Sequence, residues 1–282
     1  MKLIWTRYNE VDKYAEAVRH LLLRDKYQNS IILNNMEKRK GQTAGEDLIL
    51  ATISSGGEII LTVWQNPPYQ MLYYFTDGKF NDQAINFLVD NLIESKWDVK
   101  QIMGDKLSSK RFAEIYAQKT RKTFEKGKDL IVYRLDKLLE VKMPTGRFRQ
   151  CNSKDLNFLP FWACAFHDDC NLQAGNDLTH QYNKISETTE IYHVWETDTP
   201  VAMANMGHFS DDCAKVSAVY TPPFHRGKSY ATAVVWNLCK KFLSQYKDIM
   251  LYADNSNPMA NRCYQKVGFK ELFINSQYSF KE

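Results

Sequence analysis

Hydrophobic and polar positions along this chain switch between a period of two and a period near 3.6, and they do so in nearly the same order twice. In the first half the pattern predicts a helix over about 11–24, strands at 47–54, 58–65 and 70–76, and a helix over 81–95. A strand at 99–103, a helix over 107–119 and a strand over about 122–135 follow. In the second half, Arg147-Phe-Arg-Gln-Cys151 reads as an opening strand. Ser153 reads as the N-cap of a helix through Asp155, Leu156, Phe158 and Leu159, with Pro160 and a second apolar stretch behind it. Residues 191–206 read as a strand pair turned at 196–200, where Thr-Asp-Thr-Pro is turn chemistry. A short apolar strand (Val216, Ala218, Val219), a helix, a strand near 249–253, a second helix and closing strands complete the order.

The first of those two helices is the clearest. Ala231, Val234, Val235, Leu238, Cys239 and Phe242 fall on one face, and Asn237, Lys240, Lys241 and Ser244 on the other. In the second, Asn257 suits the N-cap, Pro258 the first helical position and Gly268 the C′ position. Asn257, Asn261 and Tyr264 are then neighbours at i, i+4 and i+7, so Asn261 and Tyr264 can point at one ligand.

The repeated order predicts an internal structural repeat and two domains, 1–140 and 141–282. The boundary lies near 137–146, where Lys142-Met-Pro-Thr-Gly146 is linker-like between two strands. The fold class expected is α+β, a mixed α/β sheet flanked by helices in each domain.

Chemistry concentrates in Val219-Tyr-Thr-Pro-Pro-Phe-His-Arg-Gly-Lys-Ser-Tyr-Ala231. A strand runs into a turn blocked by Pro222 and Pro223, then into Arg226-Gly227-Lys228-Ser229-Tyr230-Ala231 at the start of a helix. The first amides of a helix lack internal partners and its dipole adds positive charge there, so this arrangement describes a pyrophosphate cradle.

Arg-Gly-x-[Gly/Ser]-x-Ala after Val-x-Thr-Pro-Pro resembles the acetyl-CoA signature of the GCN5-related N-acetyltransferases (GNAT). Asn257…Ala260…Tyr264…Gly268-Phe269 resembles that family's next motif. The two cover roughly 216–270, and the flanking strand pattern extends the resemblance to about 145–282. The resemblance implies an acyltransferase that moves acetyl from acetyl-CoA to a primary amine by direct attack, without an acyl-enzyme or a metal. It implies coenzyme contacts from Val219, Tyr220, Thr221, residues 226–231, Asn257 and Asn261, and a proton delivered by Tyr264 to the departing thiolate. Tyr264 read from its helix alone is equally an amphipathic core residue. The chain departs from the family at Ser229, where a second glycine is frequent; a serine there costs energy if the position needs φ > 0. A non-catalytic acyl-CoA-binding or sensing protein on the same fold is the alternative, and a succinyl or longer acyl group is also open.

In the first domain the loop after the third strand is Phe75-Thr-Asp-Gly-Lys79; it lacks the arginine–glycine signature, and Asp77 would repel phosphate. That domain is expected to be a degenerate acetyltransferase-like copy that does not bind CoA, serving either to wall the acceptor site or to hold a homodimer.

Of the remaining candidates, His167-Asp168-Asp169-Cys170 has metal-ligand residue types but no second cluster, and reads as a loop or helix end with a substrate-contact role open. His225 reads as a solvated loop residue or a phosphate contact; His193 and Glu196 read foremost as structural residues, and are otherwise the candidates for a general base. Lys119–Lys128 reads as a solvated face. A net charge of +4 over 282 residues, with 25% charged and 44% hydrophobic residues, is ordinary for a globular enzyme and gives no concentrated basic face for nucleic acid. No apolar run approaches the ~20 residues of a membrane span. The N-terminus lacks a secretory core, and the six cysteines form no Cys-x-x-Cys pair, so a cytoplasmic location with reduced thiols is expected. The acceptor expected is a small-molecule or peptide amine.

Overall fold

Turn glycines and polar caps set the limits of most elements. The structure, a computed structural model, describes residues 2–45, 48–172 and 177–282. The first half runs β1 (Leu3–Arg7), α1 (Val11–Leu22), α2 (Ser30–Lys38), β2 (Ile49–Ser55), β3 (Glu58–Gln65) and β4 (Met71–Phe75), then α3 (Asp82–Glu94), β5 (Gln101–Asp105), α4 (Lys106–Thr120) and β6 (Thr123–Leu135). The second half runs β7 (Arg147–Gln150), α5 (Leu159–Asp169), α6 (Leu178–Ser186), β8 (Tyr192–Glu196), β9 (Pro200–Ser210) and β10 (Cys213–Tyr220), then α7 (Tyr230–Phe242), β11 (Asp248–Asp254), α8 (Pro258–Val267) and β12 (Phe269–Lys281). Gly56 and Gly57 both take positive φ (61° and 89°), the turn geometry that joins β2 to β3 as a tight hairpin. Asn81 caps α3 by accepting from the Ala84 N–H (3.1 Å), and Asp105 caps α4 by accepting from Leu107 and Ser108 (3.1 and 3.0 Å).

The chain divides into two compact units, Met1–Val132 with Asp254–Ser256 and Phe273–Glu282, and Tyr133–Ala253 with Asn257–Leu272. The division falls at Val132/Tyr133 rather than at 140/141, and the last strand does not follow the half that carries it in sequence. In the first unit β1, β2, β3, β4 and β5 lie in that order, and β12 pairs antiparallel with β5 from Asn275↔Asp105 to Ser279↔Gln101. Tyr278 and Phe280 of that strand join a core built by Ile49, Val63, Leu88 and Phe112. In the second unit the strand order is β11-β10-β9-β8-β7, and Leu159, Ala163, Tyr192, Val194, Met203 and Tyr220 form a core beneath α5 and α6.

Both units are mixed sheets flanked by helices, the architecture the two periodicities predict. β1, α2 and α6 were not among the predicted elements, and β9 and β10 reach Ser210 and Cys213, beyond the expected strand limits. Residue 47 of the predicted strand 47–54 lies outside the described residues. No helix among the described residues is long and apolar enough to cross a membrane.

Candidate active site

The site begins where two parallel strands part. β10 and β11 are in register from Cys213↔Asp248 to Lys215↔Met250, and no pairing between them continues past that point among the described residues. On its other side β10 pairs with β9, but the register slips between Ser217 and Tyr220, with Ala218 in left-handed backbone at φ 49°. A non-glycine residue there costs about 1–2 kcal/mol, and such bulges re-aim a strand end. Val219 and Thr221 are half-buried here, and Tyr220 is buried against Trp162 of α5 (ring centroids 6.0 Å).

Beyond Thr221, Pro222 and Pro223 fix the backbone and offer no N–H, and the turn closes by His225 N–H to Pro222 O (2.9 Å) and Arg226 N–H to Pro223 O (3.2 Å). Gly227 then takes φ 78° and Ser229 φ 63°, ψ 15°. The next backbone donation is Ala233 N–H to Ser229 O (3.0 Å). Among the described residues, no backbone carbonyl accepts from the amides of Gly227, Lys228, Ser229, Tyr230 or Ala231, and no side chain caps α7. Residues 226–229 are exposed, and a Cβ built at Gly227 would meet nothing within 4 Å. A row of free amides at the positive end of a 13-residue helix is a fit for a diphosphate.

The first unit's corresponding loop is partly spent internally. Thr76 N–H donates to Ile60 O (3.1 Å), Gly78 N–H to Phe75 O (3.0 Å) and Lys79 N–H to Asp77 Oδ1 (2.9 Å), and Asn81 caps the helix. Its strand split is filled as well. The Tyr73 hydroxyl shares hydrogen bonds with Ser108 and Ser109 (3.1 and 3.2 Å) across from Gly104, where a Cβ would sit 3.2 Å from the Tyr73 ring.

Ser229 bears the cost anticipated at this position. It is left-handed, and its side chain makes no capping hydrogen bond that glycine would forfeit. Ser229→Gly is therefore expected to stabilise the protein by about 1 kcal/mol, the strain relieved less the added backbone entropy. A thermal melt should show a rise of about 2–4 °C; an unchanged or lower melting temperature would mean that the left-handed serine carries no strain.

Arg226 does not extend freely into solvent. Its Nε donates to Thr221 O (2.9 Å), its Nη2 pairs with the Asp169 carboxylate at the end of α5, and its guanidinium lies over the Tyr220 ring (5.9 Å). His225 sits edge-on to Tyr230 (6.4 Å), and Lys228 is exposed.

On α8, Asn257 caps the helix by accepting from Ala260 N–H (3.1 Å), with Pro258 at its first position and Gly268 (φ 117°) ending it. The Asn261 carbonyl oxygen accepts from the Tyr133 hydroxyl (3.3 Å), which also donates to Glu271 (3.1 Å). The side-chain oxygens of both asparagines are thus committed inside the fold. The Tyr264 ring is buried between Tyr133 (6.1 Å) and Phe269 (6.2 Å), and among the described residues its hydroxyl makes no hydrogen bond. Burial first, then the neighbouring Cys263 and Cys170, raise its pKa well above the ordinary phenol value, so it holds its proton at neutral pH. The ion pair of Asp169 with Arg226 places the end of α5 beside the loop. His167-Asp168-Asp169-Cys170 is that helix end.

The two base candidates are otherwise engaged. His193, fully buried on β8, is stacked on Phe148 (5.0 Å) and met edge-on by Phe242 (5.9 Å); Nδ1 lies 3.2 Å from Ile191 O and Nε2 2.9 Å from Lys241 Nζ. Burial, then the Lys241 charge, pushes its pKa down to about 4. Burial pushes the Glu196 carboxyl up, but Arg147 (2.6 Å) and Arg149 (2.8 Å) outweigh that and leave it low. Both are tied into the β7–β8 side of the sheet by these contacts. The pairing of Asp169 with Arg226 and that of Tyr133 with Asn261 were what sequence reasoning missed. No local signal marks either contact, since they join residues 57 and 128 positions apart.

Residues 157–269 match the model of the acetyltransferase (GNAT) family. No curated protein matches the chain. Among solved structures, the chain is similar over its full length to an acetyltransferase of the GNAT family from Colwellia psychrerythraea (11% identity, all of both chains covered, TM-score 0.67). It is similar also to a GCN5-related N-acetyltransferase from Sphaerobacter thermophilus (14% identity, 99% and 95% covered, TM-score 0.66). A tandem GNAT protein from the clavulanic acid biosynthesis pathway shows the same architecture (10% identity, 100% and 98% covered, TM-score 0.58). The match to the family model falls within the second half, and the full-length likeness to these structures shows a tandem fold of the same architecture. The family's chemistry is acetyl transfer, with acetyl-CoA as co-substrate.

Proposed function

We propose that the second unit is an N-acetyltransferase that moves acetyl from acetyl-CoA to a primary amine of a small molecule or peptide by direct attack. The observation that carries this reading is the row of unpaired amides, Gly227 to Ala231, at the start of α7 and beside the β10–β11 split. Acetyl-CoA supplies an activated thioester. The chain's own residues supply the rest: the loop amides and Arg226 for the diphosphate, the parted strand ends for the arm, and the protonated Tyr264 hydroxyl for the leaving thiolate. The amine must be neutral to attack, and a lysine-like acceptor starts near pKa ~10.4, so its proton leaves to water. The first unit, with several of its loop amides taken up internally, its helix capped by Asn81 and its split filled by Tyr73, contributes no coenzyme site in this reading.

The engagement of both His193 and Glu196 favours a second reading, an acyl-CoA-binding protein without turnover. CoA release with full-length protein across polyamines, amino acids, aminoglycosides and peptides separates the two. Acetyl-CoA at 100 times its Kd should add about 2.7 kcal/mol of stability, visible as a rise in melting temperature. Gly227→Asp sets a carboxylate against the diphosphate in open space and should abolish that rise. Equal rises in both proteins would remove the loop from the coenzyme site.

A further inference from the structure

We propose that Asp169 competes with the coenzyme's diphosphate for Arg226 and thereby sets coenzyme affinity; this rests on the reading of the 226–231 loop given above. The guanidinium is the anion-binding side chain of the loop, and its Nη2 edge is occupied by a carboxylate from another element. Arginine engages carboxylate and phosphate through the same planar fork, so a diphosphate drawing on that edge must share it with Asp169 or displace it. The other two contacts of Arg226, Nε to Thr221 O (2.9 Å) and its face on the Tyr220 ring (5.9 Å), do not compete with an anion. They hold the side chain at the loop while the Nη2 edge changes partner.

The placement of Asp169 runs against local preference. Asp168 and Asp169 are the last two residues of α5, at the negative end of its dipole, where a cation is favoured. A carboxylate there weakens its own helix and repels a neighbouring diphosphate, and both effects are offset while Arg226 is bound. Asp169 and Arg226 are each about half exposed (48% and 47%), so the pair is solvent-screened and exchangeable rather than locked. An exchangeable competitor holds affinity down and gives Arg226 a partner as product CoA departs. Asp169 is thus a positioning residue that acts through Arg226 and touches no reacting atom.

The test is calorimetric titration of full-length protein with CoA, for wild type, Asp169→Asn, Asp169→Glu, Arg226→Gln and the Asp169→Asn/Arg226→Gln double variant, each checked for folding by its melt. Asp169→Asn should tighten CoA by about threefold to tenfold, the range of a screened ion pair plus relieved repulsion, with a smaller gain at high salt. Asp169→Glu should stay near wild type. Arg226→Gln should weaken CoA, and in that background Asp169→Asn should change affinity less than about twofold, because the contested group is gone. The KM for acetyl-pantetheine, which lacks the diphosphate, should not move. Unchanged or weaker CoA binding in Asp169→Asn would overturn the proposal. So would an equal gain without Arg226, which would reduce Asp169 to a diffuse negative charge. A wild type that binds no CoA at all would instead sink the coenzyme reading on which the proposal stands.

Discussion

Tyr264→Phe is expected to lower turnover by at least ~10-fold while leaving CoA affinity and melting temperature close to wild type. The ring is what the fold uses: it is buried between Tyr133 and Phe269, and phenylalanine fills the same space. The hydroxyl makes no hydrogen bond among the described residues, so its removal leaves no orphaned partner behind. What is lost is the buried hydroxyl's proton, the one the proposed reaction delivers to the departing thiolate. Steady-state kinetics on the identified acceptor decide the matter. Full activity in the variant would make Tyr264 a packing residue and return the proton to water.

How much of this was legible in the sequence depends on the range of the interaction that decides it. β3, β4, α3 and α4 were readable within a residue or two because alternation, turn glycines and caps are all local. The same holds for the cap at Asn257 and the left-handed Ser229, which neighbours in sequence determine. α2 was missed because it is short and its N-cap, Asn29, spends its side chain on the carbonyls of Leu22 (3.1 Å) and Asp25 (3.0 Å) instead of on the helix. The pairing of β12 with β5 has no sequence signal, since an alternating strand looks the same whichever sheet receives it. Among site residues, residue type alone does not decide the role. His193 and Glu196 have the chemistry of a base, yet one is stacked between aromatic rings and the other clasped by two arginines. The converse case is Asp169, marked in sequence only as part of the 167–170 cluster and given its partner, Arg226, by the fold.

Gly268→Ala should be the most damaging small substitution near the site. Gly268 ends α8 at φ 117°, where its N–H bonds Tyr264 O and Gln265 O (3.1 Å each) and its own carbonyl accepts from Asp136 N–H (3.2 Å). A Cβ there would lie 1.8 Å from the Lys137 carbonyl oxygen, a backbone atom that no rotamer change can move away. Gly227 offers the control within the same molecule: its φ is 78°, but a Cβ would meet nothing within 4 Å. The backbone penalty common to both is about 1–2 kcal/mol, so Gly227→Ala should cost about that and leave the fold intact. Gly268→Ala adds displacement of the chain at Lys137 and should cost at least ~3 kcal/mol, a fall of about 6–12 °C in the melt of the second unit. Because Tyr264 lies one turn upstream on α8, the shift should also reduce turnover in whatever fraction stays folded, whereas Gly227→Ala should leave turnover of the folded, coenzyme-saturated protein unchanged. Parallel melts of the two variants give the answer: equal losses would show that only the left-handed backbone matters and that the region around Lys137 yields freely.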